Sequence, residues 1–210
     1  MVLKKLFNKI KEEKEVIQGE ATKDKTYSSE NTFLTEEDAI REFKRSVRKL
    51  FHVNRWSEMP GITSSFILYH PNGTEKEADK PALRDYVKII LPGPVPENWV
   101  VVWDIQEKDD LAEFTVSPST NPTKRGEGEK EIEHFFIKEA SSTFRVERRG
   151  KSIIAFEIGK NEGINNDEKE AGDRQLINTL IAQGGWAGVQ KFQWNKLTDY
   201  LVHKIEIENK

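Results

Sequence analysis

Residues 181–202 read IAQGGWAGVQKFQWNKLTDYLV, and this segment is the strongest indication of the architecture. The Gly184-Gly185 pair predicts the end of one short helix, and the residues beyond it predict a second, longer helix. On a helical projection, the apolar residues of the second helix fall within an arc of roughly 160°. A helix with so wide an apolar face needs a wide apolar partner. The residues on this face are Trp186, Val189, Trp194, Leu197, Tyr200, Leu201 and Ile205.

A run of predicted strands provides that partner. Seven segments are rich in β-branched and aromatic residues and are bounded by turn-forming or charged residues. In order they read ITSSFILYH, DYVKIIL, WVVVWDI, LAEFTVS, IEHFFIK, STFRVER and SIIAFEI. The links between them are mostly short, as at Arg149-Gly150, which predicts antiparallel pairing. We therefore expect an α+β fold in which a curved antiparallel sheet of six or seven strands packs against a long C-terminal helix.

An earlier helix is predicted to begin after Thr35, where three acidic residues follow a good N-cap residue. Its basic outer face is typical of a solvated surface, with phosphate binding as the alternative. That face carries Arg41, Lys44, Arg45, Arg48 and Lys49, and the inner face carries Ile40, Phe43, Val47, Leu50 and Phe51.

The domain organisation follows from a change in composition near the N-terminus. Residues 1–15 predict a short basic amphipathic helix, residues 16–33 a linker poor in apolar residues, and residues 34–210 a single α+β domain. The apolar side of the helix predicted at residues 1–15 has to be buried against another surface. We expect it to dock on its own chain or on a neighbour in a homodimer, in preference to a membrane surface.

The composition excludes several classes of function. The chain has 210 residues, a formal net charge of −3 and no cysteine. A nucleic-acid-binding protein normally carries a basic excess, so we expect no nucleic-acid partner. Disulfides, zinc–thiolate sites and thiol catalysis are excluded. With neither a long apolar run nor a secretory signal pattern, we expect a soluble, cytoplasmic protein.

No catalytic motif stands out. The four histidines lack the spacing of a metal site, and no phosphate loop or nucleophile motif is present, so we expect no metal, cofactor or catalytic residue. Among the ionisable residues within predicted strands, His134 and Asp104 are the candidates for a general acid or base. Strand alternation puts Trp99 and Trp103 on one face and Asp104 on the other, which favours an Asp104 that faces solvent.

The order of elements resembles the helix-grip architecture of the START and Bet v 1 type over roughly residues 35–205. The sequence departs from that pattern in having no predicted strand before the first helix and a broken final helix. The resemblance implies a cavity between the sheet and the C-terminal helix that holds an apolar ligand.

We therefore expect a non-catalytic domain that binds a small apolar molecule. One alternative is an interaction or structural protein with a solid core. A second is a cyclase- or hydrolase-like enzyme that uses Asp104 or His134 in the same cavity. The predicted ligand-binding residues are Trp99, Trp103, Phe156, Trp186, Trp194 and Tyr200.

Overall fold

The computed structural model describes residues 22–92, 97–124, 132–163, 165 and 186–208, with side chains from residue 190 in the last segment. The amphipathic helix expected at residues 1–15, the break at Gly184-Gly185 and the side chain of Trp186 lie outside these residues. The described elements are β1 (Lys23–Thr32), α1 (Glu36–Phe51), a 3-10 helix (Val53–Glu58), β2 (Ser65–Tyr69), β3 (Tyr86–Ile90), β4 (Asn98–Glu107), β5 (Leu111–Pro118), β6 (Ser141–Arg149), β7 (Ser152–Glu162) and α2 (Trp186–Leu201).

The strands form one antiparallel sheet of seven strands in the order β1-β7-β6-β5-β4-β3-β2. The two α-helices and the 3-10 helix pack on the same face, which we call the inner face, and the opposite face is the outer face. The predicted α+β class, the curved antiparallel sheet and the packed C-terminal helix are therefore confirmed. No helix in the described part of the chain is both long and apolar enough to cross a membrane.

Strand β1 lies where the sequence predicted a linker. Lys23–Thr32 pairs along most of its length with β7, and its alternate residues turn toward α2. Apart from Tyr27, which packs against the core, those residues are polar: the Ser29 hydroxyl donates to Asp199 Oδ1 at 2.7 Å, and Asn31 Nδ2 donates to the Val202 carbonyl at 2.9 Å. Because polar side chains bond this strand to α2, its sequence lacks the apolar alternation by which a strand is normally predicted. It provides the strand before the first helix that the helix-grip resemblance had lacked.

The segment IEHFFIK (residues 132–138) was predicted to be a strand and is not one of the strands in the structure. It lies within a looped region, and Phe135 and Phe136 bury their rings in a small second core. Side chains satisfy backbone groups here: the Phe135 amide donates to Asn98 Oδ1 at 3.1 Å, and the Phe136 amide donates to His134 Nδ1 at 2.9 Å. The backbone of this segment makes a few pairing contacts, such as the Ile137 amide to the Gly163 carbonyl at 3.0 Å and the Asn165 amide to the Phe135 carbonyl at 2.8 Å, without forming one of the seven strands. Its apolar character therefore reflects burial more than a place in the sheet.

Helix α1 begins as predicted, since Thr35 Oγ1 accepts a hydrogen bond from the Asp38 amide at 3.0 Å. The 3-10 helix that follows places Trp56 in the middle of the core. Its ring centroid lies 5.0 Å from that of Phe144 and 5.9 Å from that of Phe114. Trp56 therefore joins the helical layer to the inner face of the sheet.

Candidate functional site

A cavity lies between the inner face of the sheet and α2, and we call it the central cavity. Strands β2 to β6, the 3-10 helix, the loop before β6 and α2 all contribute to its wall. The space open to the centre of a water-sized sphere is about 50 Å³. A single water needs about 10–15 Å³ on this measure, so the central cavity has room for several waters or a small apolar group.

Aromatic and aliphatic side chains together form most of the wall. The Trp194 centroid from α2 lies 5.4 Å from that of Phe144 on β6 and 6.4 Å from that of Phe66 on β2. Phe114 and Trp56 complete this part of the wall. Offset and edge-to-face contacts of this kind stabilise a core beyond the area that they bury. The rings thus provide a rigid apolar surface.

Polar side chains line part of the wall near α2 and the start of β6. Gln193 Oε1 accepts from the Ser64 hydroxyl at 2.5 Å. The His134 ring is buried, stacks on Phe135 with centroids 4.6 Å apart, and accepts at Nδ1 from the Phe136 amide. In its neutral form this ring therefore carries its proton on Nε2. The polar lining residues are His134, Ser141, Ser142, Gln190 and Gln193.

Two buried carboxyl groups on β7 lie next to this polar wall. Glu157 pairs in register with Phe144; the Ser142 hydroxyl lies near its carboxyl group, but neither carboxyl oxygen makes a hydrogen bond of good geometry in the described part of the chain. Burial, followed by the negative charge of Glu162, raises the pKa of Glu157 to about 8, although the Ser142 hydroxyl and Lys25 act against the rise. Glu157 is therefore largely protonated at neutral pH.

Glu162 is the partnered member of the two. Its Oε1 accepts from Gln190 Nε2 at 2.7 Å, and its Oε2 lies 3.3 Å from Lys25 Nζ. Burial raises the pKa of Glu162, and Lys25 opposes that rise. The Glu162 side chain lies over Gly159, where an added Cβ would sit 2.3 Å from Oε1. A side chain at position 159 would therefore displace the Glu162 carboxyl group from its contacts with Gln190 and Lys25.

The predicted ligand-binding residues do not all reach the central cavity. Trp194 lines it, whereas Tyr200 is buried outside its wall. Phe156 lies on the outer face, opposite Ser28 and Arg145 in the strand register. Contact of any of these residues with a ligand stays a prediction.

The two remaining predicted tryptophans, Trp99 and Trp103, both lie on β4. Val100 and Val102 face inward, so Trp99 and Trp103 are on the outer face. Trp99 is buried there against Tyr69, with ring centroids 4.9 Å apart, while Trp103 is 56% exposed and donates from Nε1 to Ser117 Oγ at 3.0 Å.

The register of β4 shifts between Val102 and Asp104, which leaves Trp103 as an extra residue. Asp104 pairs with Thr115 and lies on the outer face, away from the cavity as expected. The predicted division of the strand, with Asp104 on the face opposite Trp99 and Trp103, is wrong, because the extra residue leaves all three on the outer face. A role for Asp104 inside the central cavity is therefore not supported by its position.

The sequence analysis missed several wall residues, although part of the signal was present. Phe114 and Phe144 alternate with other core residues of their strands, as expected for an inner face. Glu157 shares the alternation of Ile153 and Ala155 in SIIAFEI, but the other alternating set, Ile154, Phe156 and Ile158, is the more apolar, so alternation alone would have placed Glu157 on the outer face. The glutamines of α2 carried no signal of burial, because polar residues on a helix normally face solvent.

Comparisons with known proteins agree with the architecture. No protein-family model and no curated protein matches the sequence. A crystal structure of a hypothetical protein from Helicobacter pylori is similar over 92% of this chain and 94% of that chain, with a TM-score of 0.55 and 15% identity. At this identity the likeness shows the fold alone.

Norcoclaurine synthase from Thalictrum flavum, in complex with dopamine and hydroxybenzaldehyde, covers 91% of this chain and 94% of its own, with a TM-score of 0.40 and 12% identity. That likeness is too distant to carry an argument. The fold and the central cavity together define a helix-grip-like α+β protein.

Proposed function

We propose that the protein is a non-catalytic domain that binds the apolar part of a small molecule in the central cavity. The observation that supports this proposal is a space of about 50 Å³ with a mostly apolar wall, rich in aromatic rings, and polar groups on one part of it. Protein interiors are close-packed, and such spaces are few in a domain of this size. The lack of cysteine suits a reducing compartment, so we place the protein in the cytoplasm.

The volume limits the size of the ligand. An apolar cavity of about 150 Å³ holds benzene. The central cavity is smaller, so the group that enters it without movement of side chains is a short alkyl chain. Gln193 and Trp194 are the residues of α2 whose displacement would enlarge it. Ser142 and Gln190 lie where a polar end of the ligand would be oriented.

Xenon and a series of linear alcohols test this proposal. Under xenon pressure, amide and indole NMR shifts should change around Trp194 and Phe144. From ethanol to hexanol, affinity should rise about fourfold per methylene, which corresponds to about 0.8 kcal/mol, until the cavity is full. The substitution Ala140→Leu places new atoms in the wall and should abolish both responses.

The matched control is Ser28→Leu, which adds a leucine on the exposed side of β1 and should leave both responses unchanged. If neither xenon nor the alcohols bind the parent protein, the core is solid in solution. The alternative of an interaction or structural protein would then replace the proposal.

A second candidate, a cyclase- or hydrolase-like enzyme, is supported by one observation: the ionisable His134 lines the same cavity. Binding and turnover can be separated with the substitution His134→Gln. If the protein only binds, this variant should keep alcohol binding, and no molecule that binds to the parent should be converted. Turnover that His134→Gln abolishes while binding persists would favour the enzyme.

A further inference from the structure

The outer side of α1 contributes to a second concave site, which we call the basic groove. It lies between the C-terminal half of α1, the start of the 3-10 helix and the residues after α2, and its volume is about 410 Å³. Pockets for small ligands typically measure about 300–1,000 Å³. We propose that the basic groove binds the phosphoryl group of a small molecule.

The spacing of the basic residues builds this site. Positions 45, 48, 52 and 55 recur every three or four residues, so they follow one side of α1 and its continuation into the 3-10 helix. The wall carries four basic side chains, Arg45, Arg48, Lys49 and Arg55, as well as His52. Only two carboxylates, Asp79 and Glu206, share it. Among the wall residues themselves, Arg and Lys outnumber carboxylates by four to two, while Glu42 and Glu58 lie outside the wall as ion-pair partners of Arg45 and Arg55.

Lys49 forms the fixed part of the groove. Its ammonium group donates to the Tyr200 carbonyl and contacts His203 Nδ1, both at 2.8 Å, and it lies 3.0 Å from Glu206. These contacts satisfy the three donors of the ammonium group. Lys49 therefore holds the residues after α2 in place and adds positive charge, but it is not the main ligand contact.

Arg48 is the side chain available to a ligand. It is exposed, and its guanidinium has no hydrogen-bond or ion-pair partner among the residues that the structure describes. Arg45 pairs with Glu42 and Glu206, and Arg55 pairs with Glu58. Solvent-exposed pairs of this kind contribute only about 0–1 kcal/mol each, so a stronger anion can recruit both arginines.

The chemistry of the groove favours phosphate over a simple halide. Guanidinium groups bind phosphate through two parallel hydrogen bonds, which a spherical ion cannot accept. Tyr200 and Ile207 add an apolar part to the wall, where the rest of the molecule can lie. No residue lines both the basic groove and the central cavity, so this proposal stands independently of the proposed function.

Titration of the full chain with inorganic pyrophosphate, at constant ionic strength maintained with chloride, tests the proposal. Calorimetry should show saturable binding. The substitution Arg48→Ala should weaken binding about 10-fold to 100-fold, the loss expected for hydrogen bonds to a charged group. Arg48→Lys should recover only part of the affinity, because an ammonium group cannot form the two-pronged contact.

The matched control is Lys44→Ala, which removes the same charge from an exposed position of α1 outside the groove and should change affinity less than about twofold. Equal losses in Arg48→Ala and Lys44→Ala would show general charge attraction and overturn the site. Absence of saturable pyrophosphate binding would overturn it as well.

Vesicles that contain phosphatidic acid distinguish two sources of the phosphoryl group. If pyrophosphate binds but the vesicles do not co-sediment with the protein, the ligand is a free phosphorylated molecule. If both bind and Arg48→Ala weakens both, the site also accepts a lipid headgroup. Vesicle binding that Arg48→Ala does not weaken, without saturable pyrophosphate binding, would place lipid attraction elsewhere and contradict the proposal.

Discussion

Helix α2 is held to the sheet in two different ways along its two sides. Toward β1 the contacts are polar: Ser29 bonds to Thr198 at 3.0 Å and to Asp199 at 2.7 Å. Toward β6 and β2 the contacts are aromatic, with Trp194 against Phe144 and Phe66. Hydrogen bonds fix the helix at defined distances, whereas large rings leave gaps where their shapes do not match. The polar side therefore sets the position of α2, and the central cavity lies on the aromatic side.

The largest expected effect comes from removing a ring on the aromatic side. Phe144 lies within 5.0 to 5.4 Å, centroid to centroid, of Trp56, Phe114 and Trp194. The substitution Phe144→Ala should lower the free energy of unfolding by about 3–5 kcal/mol, because it enlarges a cavity that is already present. Denaturant unfolding measures this loss.

The matched control for that change is Phe156→Ala, on the outer face of the same sheet, where the ring is only half-buried. It should have a clearly smaller effect. Equal losses at the two positions would mean that the aromatic side of α2 has no special role in the core.

The buried acid next to the cavity should produce the next largest effect, and that effect depends on pH. Glu157 has a pKa of about 8 in the folded protein, against an ordinary value of 4.5. The folded state therefore keeps a proton that the unfolded state releases. Stability is fully present below pH 4.5 and is lost as the pH rises toward 8, by up to about 1.4 kcal/mol per pH unit.

The substitution Glu157→Gln should remove that slope and stabilise the protein by about 4 kcal/mol at pH 8, with little change at pH 4. Thermal unfolding across this pH range measures the effect. Glu30→Gln, on the exposed side of β1, makes the same chemical change outside the core and should leave the profile as it is. A Glu157→Gln profile parallel to that of the parent would show that Glu157 is ionised in the fold.

The smallest of these effects concerns the polar side of α2. The substitution Ser29→Ala removes the hydroxyl that bridges Thr198 and Asp199, and it should lower the free energy of unfolding by about 1–2 kcal/mol. Ser28→Ala, one residue earlier on the exposed side of β1, should change it by less than about 0.5 kcal/mol. A negligible effect of Ser29→Ala would mean that water replaces this bridge without loss.

Much of the fold could be predicted because local signals agreed with the final structure. Thr35 and the acids after it predicted the start of α1, and six of the seven apolar segments became strands. The candidate site was harder to predict. Trp99 is buried on the outer face, so burial by itself does not tell which face of β4 borders the cavity.

The sequence by itself determined the order of α1, strands β2 to β7 and α2, the antiparallel pairing and the apolar face of α2, since periodicity and turn residues act over short distances. Only the tertiary structure decided that polar β1 joins the sheet, that Val100 and Val102 face inward in place of Trp99 and Trp103, and that Glu157 is buried next to the cavity. The physical reason is that the alternation of side chains divides a strand into two faces but does not show which of them packs against the helices. The partners of polar groups, too, are set by residues far away in the chain.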